Sequence, residues 1–275
     1  MNPKEAYLSK PWLKYYSEGV PADIDIPELS VPELFDQIAG KYGNRTALIF
    51  YGKKISYREL KESVDRMATA LAGLGIKKGD AVAIYLLNSP QYVIAYFAAL
   101  RLGAKVTPIS PVYTSIEVKH QITDSEARTV VCQDILFDNL EKAGVHPESV
   151  ILTSIDEYLP ALKKWFGKSA KAKAYGGKTA VMTESIGRPG IYLFQELLKK
   201  YPPEPPPVTI DPRKDLAALP YTGGTTGLPK AAMLTHRNLV ALQAQARAFW
   251  PIIEEGKEVV MAFLPFFRSE ERRVG

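Results

Sequence analysis

The chain has 275 residues, enough for one large domain or two modest ones with an ample core. Hydrophobic residues make up 46% and charged residues 24%, an ordinary globular balance, and a formal charge of +5 is too mild to point to nucleic acid by itself. One cysteine, Cys132 in the apolar run "RTVVCQ", excludes an internal disulfide and reads as a buried strand residue in a reducing compartment.

The opening "MNPKEAYLSKPW" has no apolar stretch of the secretory kind, and the longest apolar run, 92–100, stops at Arg101, far short of a bilayer span. These features predict a cytoplasmic protein, with residues 1–30 as an N-terminal extension. From Val31 to about Ser154 the chain alternates between helical and strand periods. "PELFDQIAGKY" predicts a short helix, and "TALIFYGKKISY" predicts two strands joined at Gly52. Ser56 with Glu59 forms a capping box that opens an amphipathic helix running to Gly75. "GDAVAIYLL" predicts a buried strand, and "SPQYVIAYFAALRLG" a helix closed by glycine. "AKVTPIS" is the next strand, and Thr114 with Glu117 caps the helix after it. "RTVVCQ" and "SVILTS" continue the series with a helix between them. Strands alternating with such helices predict an α/β architecture, with parallel pairing and helices on the sheet faces.

Residues 161–190 break that rhythm. Six lysines fall between Lys163 and Lys178, and no acid appears there before Glu184. The favoured reading is a solvated insert; a lesser one is an electrostatic foot for an anionic membrane surface, beside Trp165 and Phe166. Residues 201–212, "YPPEPPPVTIDP", predict a stiff extended connector, because proline fixes φ and removes a donor.

After the connector, "LAALPY" predicts a strand that delivers the loop "TGGTTGLPK", residues 222–230. Glycines bring backbone N–H groups close to a ligand without a Cβ in the way, and converging amides make a nest for phosphate oxygens. Thr222, Thr225 and Thr226 add hydroxyls, Gly223, Gly224 and Gly227 bare amides, and Lys230 a point charge on a flexible stem. Thr222 either shares in this or simply ends the strand. Thr235 then caps the helix "HRNLVALQAQARAFW". The pattern fits a polyphosphate but not the common P-loop, since Pro229 precedes the lysine, Ala231 follows it, and 230–234 reads as extended.

"YTGGTTGLPKAAMLTHRN" resembles the phosphate-binding signature of the adenylate-forming (AMP-binding) superfamily, which includes acyl-CoA synthetases, luciferases and peptide-synthetase adenylation domains. It departs at Gly223, usually serine, and at Ala231, usually glycine. The stretch from "ISYRELKES" to "DSEARTVV" is similar to the family's N-terminal domain nearly throughout. "PWLKYYSEGVP" and the insert between Ser154 and Pro212 look most like fatty-acyl-CoA synthetases. The likeness makes residues 31–267 a partial AMP-binding domain with the N-terminal part of that fold.

The resemblance implies ATP-dependent activation of a fatty acid to an acyl-adenylate and then acyl-CoA, with ATP, Mg2+ and CoA as cofactors and no nucleic-acid partner. Other members activating aryl or amino acids, and a non-catalytic nucleotide-binding protein, remain alternatives; the oligomeric state is open. It assigns Lys230 to the β- and γ-phosphates, Thr225 and Thr226 to hydroxyl contacts, and Gly223, Gly224 and Gly227 to amide contacts. His236, at the first turn of its helix, is expected to face solvent or pack locally. His120 is expected on a charged helix face and His146 in a turn, and no Cys/His cluster points to a metal site. "VVMAFLPFF" predicts a strand leading to a family histidine, but Arg268 stands there and "RSEERRVG" follows, with five charges in eight residues. That tail, 268–275, is expected to lie outside the family pattern. With the family's C-terminal half missing, the chain as written is expected to be inactive and poorly soluble.

Overall fold

The computed structural model describes residues 7–160, 185, 187–222 and 229–267. The expectations for the lysine-rich stretch 163–178, with Trp165 and Phe166, and for Arg268 onward fall outside the described residues.

In chain order the elements are α1 (Val31–Tyr42), β1 (Thr46–Phe50), β2 (Lys53–Ser56), α2 (Tyr57–Gly73), β3 (Ala81–Tyr85), α3 (Pro90–Arg101), β4 (Lys105–Pro108), α4 (Ser115–Asp124), β5 (Ala127–Gln133), α5 (Phe137–Lys142), β6 (Ser149–Thr153), β7 (Ile191–Leu193), α6 (Phe194–Lys200), β8 (Leu216–Ala218), β9 (Tyr221–Thr222), β10 (Lys230–Ala231), β11 (Leu234–Thr235) and α7 (His236–Phe249). Seven strands form one sheet in the order β11-β8-β4-β3-β5-β6-β7, while β1–β2 and β9–β10 are separate antiparallel pairs. Every pairing within the large sheet is parallel except β11 with β8.

The α/β reading is thus correct, and side-chain alternation shows why. In β3, Val82 and Ile84 join the core beneath α2, α3 and α6, while Ala81, Ala83 and Tyr85 join the core on the opposite face with α4 and α5. Val131 against Val130 and Cys132 in β5, and Ile151 against Val150 and Leu152 in β6, divide in the same way. Successive Cβ atoms point to opposite faces, so strands covered on both sides read as continuous apolar runs. Cys132 is buried and free, as expected.

The helix boundaries follow the local signals. Glu59 accepts from Ser56 N–H at 2.7 Å, and Ser56 Oγ accepts from Glu59 N–H at 3.2 Å, which pairs donors left over at the start of α2. Leu60, Val64, Met67, Ala68 and Leu71 recur at helical spacing and are all buried. Past the end of α2, Gly75 takes φ +91°, a conformation that costs glycine nothing. Thr114 with Glu117 makes the same box at α4. An ionic network ties three helices together. Arg101 of α3 forks onto Asp36 of α1, and Lys61 of α2 bridges Asp36 and Asp65 at 2.9 and 2.7 Å. Arg101 Nε also lies 2.8 Å from Asp65, an ion contact at an angle that makes no hydrogen bond.

Two elements escaped the sequence reading, β7 and α6, which follow the lysine-rich stretch and close one edge of the sheet. The connector has no regular element, as expected, and lies along α2: Arg66 donates to the Tyr201 carbonyl at 3.0 Å and Thr69 accepts from Glu204 N–H at 3.2 Å. One expectation is overturned. "VVMAFLPFF" forms no strand, and Val259, Val260 and Met261 are largely exposed. Its backbone instead meets side chains. Asn88, just past β3, donates to the carbonyls of Ala262 (3.0 Å) and Leu264 (2.7 Å) and accepts from Phe266 N–H (2.9 Å). A strand needs a neighbouring backbone, and one asparagine supplies only these few bonds. Among the described residues, no helix is long and apolar enough to cross a membrane.

Candidate functional site

The glycine–threonine loop hangs from a small ribbon. β8 runs parallel to β4, and after Ala218 the chain passes Leu219 and Pro220 into β9. β9 pairs with β10 so that Thr222 stands opposite Lys230 and Tyr221 opposite Ala231. The returning chain pairs again as β11 on β8, Leu234 opposite Ala218. Together these are one long hairpin, interrupted at Leu219–Pro220 and Ala232–Met233. Pro220 has no N–H to give the ladder, but its carbonyl accepts from Ala232 N–H at 2.9 Å. The expectation that 230–234 is extended is therefore met, with a break in the middle.

Of the predicted phosphate ligands, the structure brings Thr222 and Lys230 face to face across the ribbon. Lys230 is exposed and makes no ion pair with any described carboxylate. Gly223, Gly224, Thr225, Thr226 and Gly227 lie outside the described residues. Thr235, which follows the ribbon, caps α7 as predicted: Asn238 Oδ1 accepts its N–H at 2.9 Å, and its Oγ1 accepts Asn238 N–H at 3.3 Å.

Helix α4 meets the ribbon at two points. The buried Tyr221 donates its hydroxyl proton to Asp124 Oδ2, and His120 Nε2 lies 2.8 Å from the Pro229 carbonyl oxygen. A carbonyl only accepts, so this ring nitrogen carries the proton. The two rings meet edge to face, with centroids 6.1 Å apart. Burial, and then the Asp124 carboxylate, push the Tyr221 hydroxyl well above its ordinary value of 10. A cleft of about 600 Å³ lies beside these contacts, bordered by Lys105, Ser125 and Glu126 and by Lys230 and Met233 of the hairpin. The sequence reading gave His120 a charged face and missed Asp124. The available signal was their spacing: residues four apart share one face of a helix.

His236 corrects another expectation. It is fully buried, and its Nδ1 accepts the Val31 N–H, 3.3 Å away, at the first position of α1. Burial pushes its pKa from 6.5 down to about 4, with Asp215 and Glu33 pulling the other way. A neutral ring satisfies a helix-end donor that would otherwise have no partner, so its part is structural. His146 is exposed, in an irregular segment that follows the turn at 143–144. Among the described residues, no three His, Cys, Asp or Glu side chains gather in a metal-binding group.

The AMP-binding enzyme family matches residues 35–271. The chain is 33% identical over 264 residues to a long-chain-fatty-acid–CoA ligase of Bacillus subtilis, and 35% identical over 271 residues to one of Salmonella typhimurium. Each alignment covers 94% of this chain and 46% of the relative, so the chain spans just under half the length of the curated relatives it matches. Among solved structures, a long-chain-fatty-acid–CoA ligase from Archaeoglobus fulgidus superposes with a TM-score of 0.69 at 29% identity, covering 92% of this chain and 45% of that one.

Proposed function

Since the chain belongs to the AMP-binding enzyme family, we propose that it holds the β- and γ-phosphates of ATP for an enzyme that activates a fatty acid to acyl-adenylate and then acyl-CoA. The observation that carries this reading is the ribbon register, with Thr222 opposite Lys230, a lysine in no ion pair with any described carboxylate, at the two ends of a loop of glycine and threonine. In such a reaction the fatty-acid carboxylate attacks the α-phosphorus and pyrophosphate leaves, so charge builds on the β- and γ-phosphates. An ammonium, two hydroxyls and several bare amides placed there stabilise the departing group. Lys230 takes the charge, Thr225 and Thr226 donate hydroxyl protons, and Gly223, Gly224 and Gly227 donate backbone N–H groups. Magnesium enters this reading only as the companion of ATP, and none of the described residues is assigned to it.

A fatty acid is preferred to an aryl or amino acid because the three relatives above are all fatty-acid–CoA ligases. The setting that fits is the cytoplasm, where ATP and CoA are found; peripheral contact with a membrane surface through the lysine-rich stretch is a further part of the proposal. The ribbon alone cannot enclose the reacting atoms, and positioning and exclusion of water supply much of the rate. The 275-residue chain is therefore expected to bind ATP saturably in a calorimetric titration while showing no fatty-acid-dependent ATP–pyrophosphate exchange. Absence of ATP binding at millimolar concentration would remove the phosphate assignment. Exchange above background would instead show that this half suffices for the first step.

A further inference from the structure

We propose that His120 and Asp124, on the last two turns of α4, are positioning residues that fix where the two strands of the β9–β10 ribbon stand, and thereby place Thr222 and Lys230 for a polyphosphate. The functional part of this inference rests on the phosphate reading above; the mechanical part does not.

A ribbon of two residue pairs cannot orient itself. Its register fixes the separation of Thr222 and Lys230, but isolated hairpins even longer than this one are marginal in water. The hairpin ladder that would brace it is broken at Pro220, where a single backbone bond from Ala232 remains. What sets its tilt must come from outside, and α4 reaches each strand separately. Asp124 holds Tyr221 on the outgoing strand, and His120 holds the carbonyl of Pro229, the residue before Lys230 on the returning one.

Helix α4 is suited to serve as the fixed reference. Val118, Gln121 and Ile122 are buried in the sheet face, and Gln121 Nε2 donates to Thr107 Oγ1 at 2.8 Å and to the Pro108 carbonyl at 2.9 Å, both on β4. β4 is also the partner of β8, from which the hairpin grows. One rigid body therefore controls the base and both stems of the ribbon. A cleft of about 600 Å³ opens beside the stems, and the bonds of Leu219 to Val106 and Thr107 hold only their base, so the two hydrogen bonds from α4 are the ones that reach the ribbon itself.

The test uses the whole 275-residue chain and inorganic triphosphate as the probe. Tyr221→Phe removes only the hydroxyl that Asp124 holds and leaves the ring against His120. His120→Ala removes the donor to Pro229, whereas His120→Gln keeps an N–H donor of similar reach. Tyr221→Phe and His120→Ala are each expected to weaken triphosphate binding about tenfold, with His120→Gln within about threefold of the parent. Amide hydrogen exchange without ligand supplies the second readout. Residues 221, 222, 230 and 231 are expected to exchange about tenfold faster in His120→Ala, while the amides of α2 stay unchanged. If the parent chain binds no triphosphate but exchange at the ribbon still rises, the phosphate reading fails and the positioning of the ribbon stands. Unchanged exchange in both Tyr221→Phe and His120→Ala, or a His120→Gln variant as defective as His120→Ala, would overturn the proposal.

Discussion

Two stretches of similar apolar character meet opposite fates in this molecule. In α2 and β3, Val64, Met67, Ala68 and Leu71 are completely buried, and all five strand residues are inaccessible. Near the C-terminus, Ile252, Val259, Val260, Met261 and Phe263 are 73 to 86% exposed. Hydrophobicity does not separate them; neighbours do. β3 has β4 on one side and β5 on the other, with helices over both faces, and all of these except α6 come from the same hundred residues. For 259–264 the hydrogen bonds from other described elements come from Asn88. Burial belongs to an assembly of elements, and a segment read alone says what it would do once covered.

The sharpest way to break this comparison is to cut the same kind of group from each region. Leu71→Ala removes a side chain sealed between helices and sheet, so the lost transfer energy and the residual cavity add. A destabilisation of about 3–5 kcal/mol is expected, read as a lower urea midpoint with an unchanged slope. A loss below about 1 kcal/mol would mean that the core near α2 is as loosely held as the C-terminal stretch.

The contact between α7 and α1 is expected to respond to pH. His236 opens α7 and buries its ring against the start of α1, with Asp215 and Glu33 favouring its charged form and burial and Lys78 opposing it. Its folded pKa of about 4 lies below the unfolded 6.5. The unfolded chain therefore takes up a proton first as pH falls. The contribution is complete above about pH 6.5, declines towards about pH 4 and changes no further below that, a span of about 3 kcal/mol at most. His236→Phe loses the bond to Val31 but no longer titrates. The unfolding free energy of the parent, read from urea titrations, should fall more steeply between pH 7 and 4.5 than that of the variant, by about 2 kcal/mol. Parallel pH profiles would show that the ring is solvated in the native state.

Much of the first region was legible because its signals are local. Ser56–Glu59 and Thr114–Glu117 announce helix starts within four residues, and the both-faces-buried strands announce themselves as apolar runs. The ribbon was legible in part. The run after Lys230 reads as extended, yet its anchoring by His120 and Asp124 spans about a hundred residues of sequence and leaves only an i, i+4 spacing as its trace. His236 was misplaced for the same reason, since its partner is the backbone of Val31, 205 residues away. β7 and α6 were missed because they are short and follow the lysine-rich break, where the rhythm of the chain no longer predicts what comes next. The loop glycines and threonines carry the clearest chemical signal in the sequence, and the register of the ribbon around them now fixes which residues flank it.

The smallest expected effect tests the other side of the comparison. Val260 is 84% exposed and Met261 80%, so each already spends the native state largely in water. Replacing Val260 by serine removes little buried area, and the unfolding free energy read from urea titration should change by no more than about 0.5 kcal/mol in either direction. Association between molecules is a different matter. An exposed apolar run with few backbone partners can pair with another chain, and a polar residue in its middle interrupts that pairing. Val260→Ser should therefore leave stability alone and lower the light scattering of a concentrated solution on standing. A stability loss above about 1.5 kcal/mol would place Val260 in a packed core. Equal scattering by parent and variant would acquit this run and turn attention to other exposed apolar side chains, such as Phe249 and Trp250 at the end of α7.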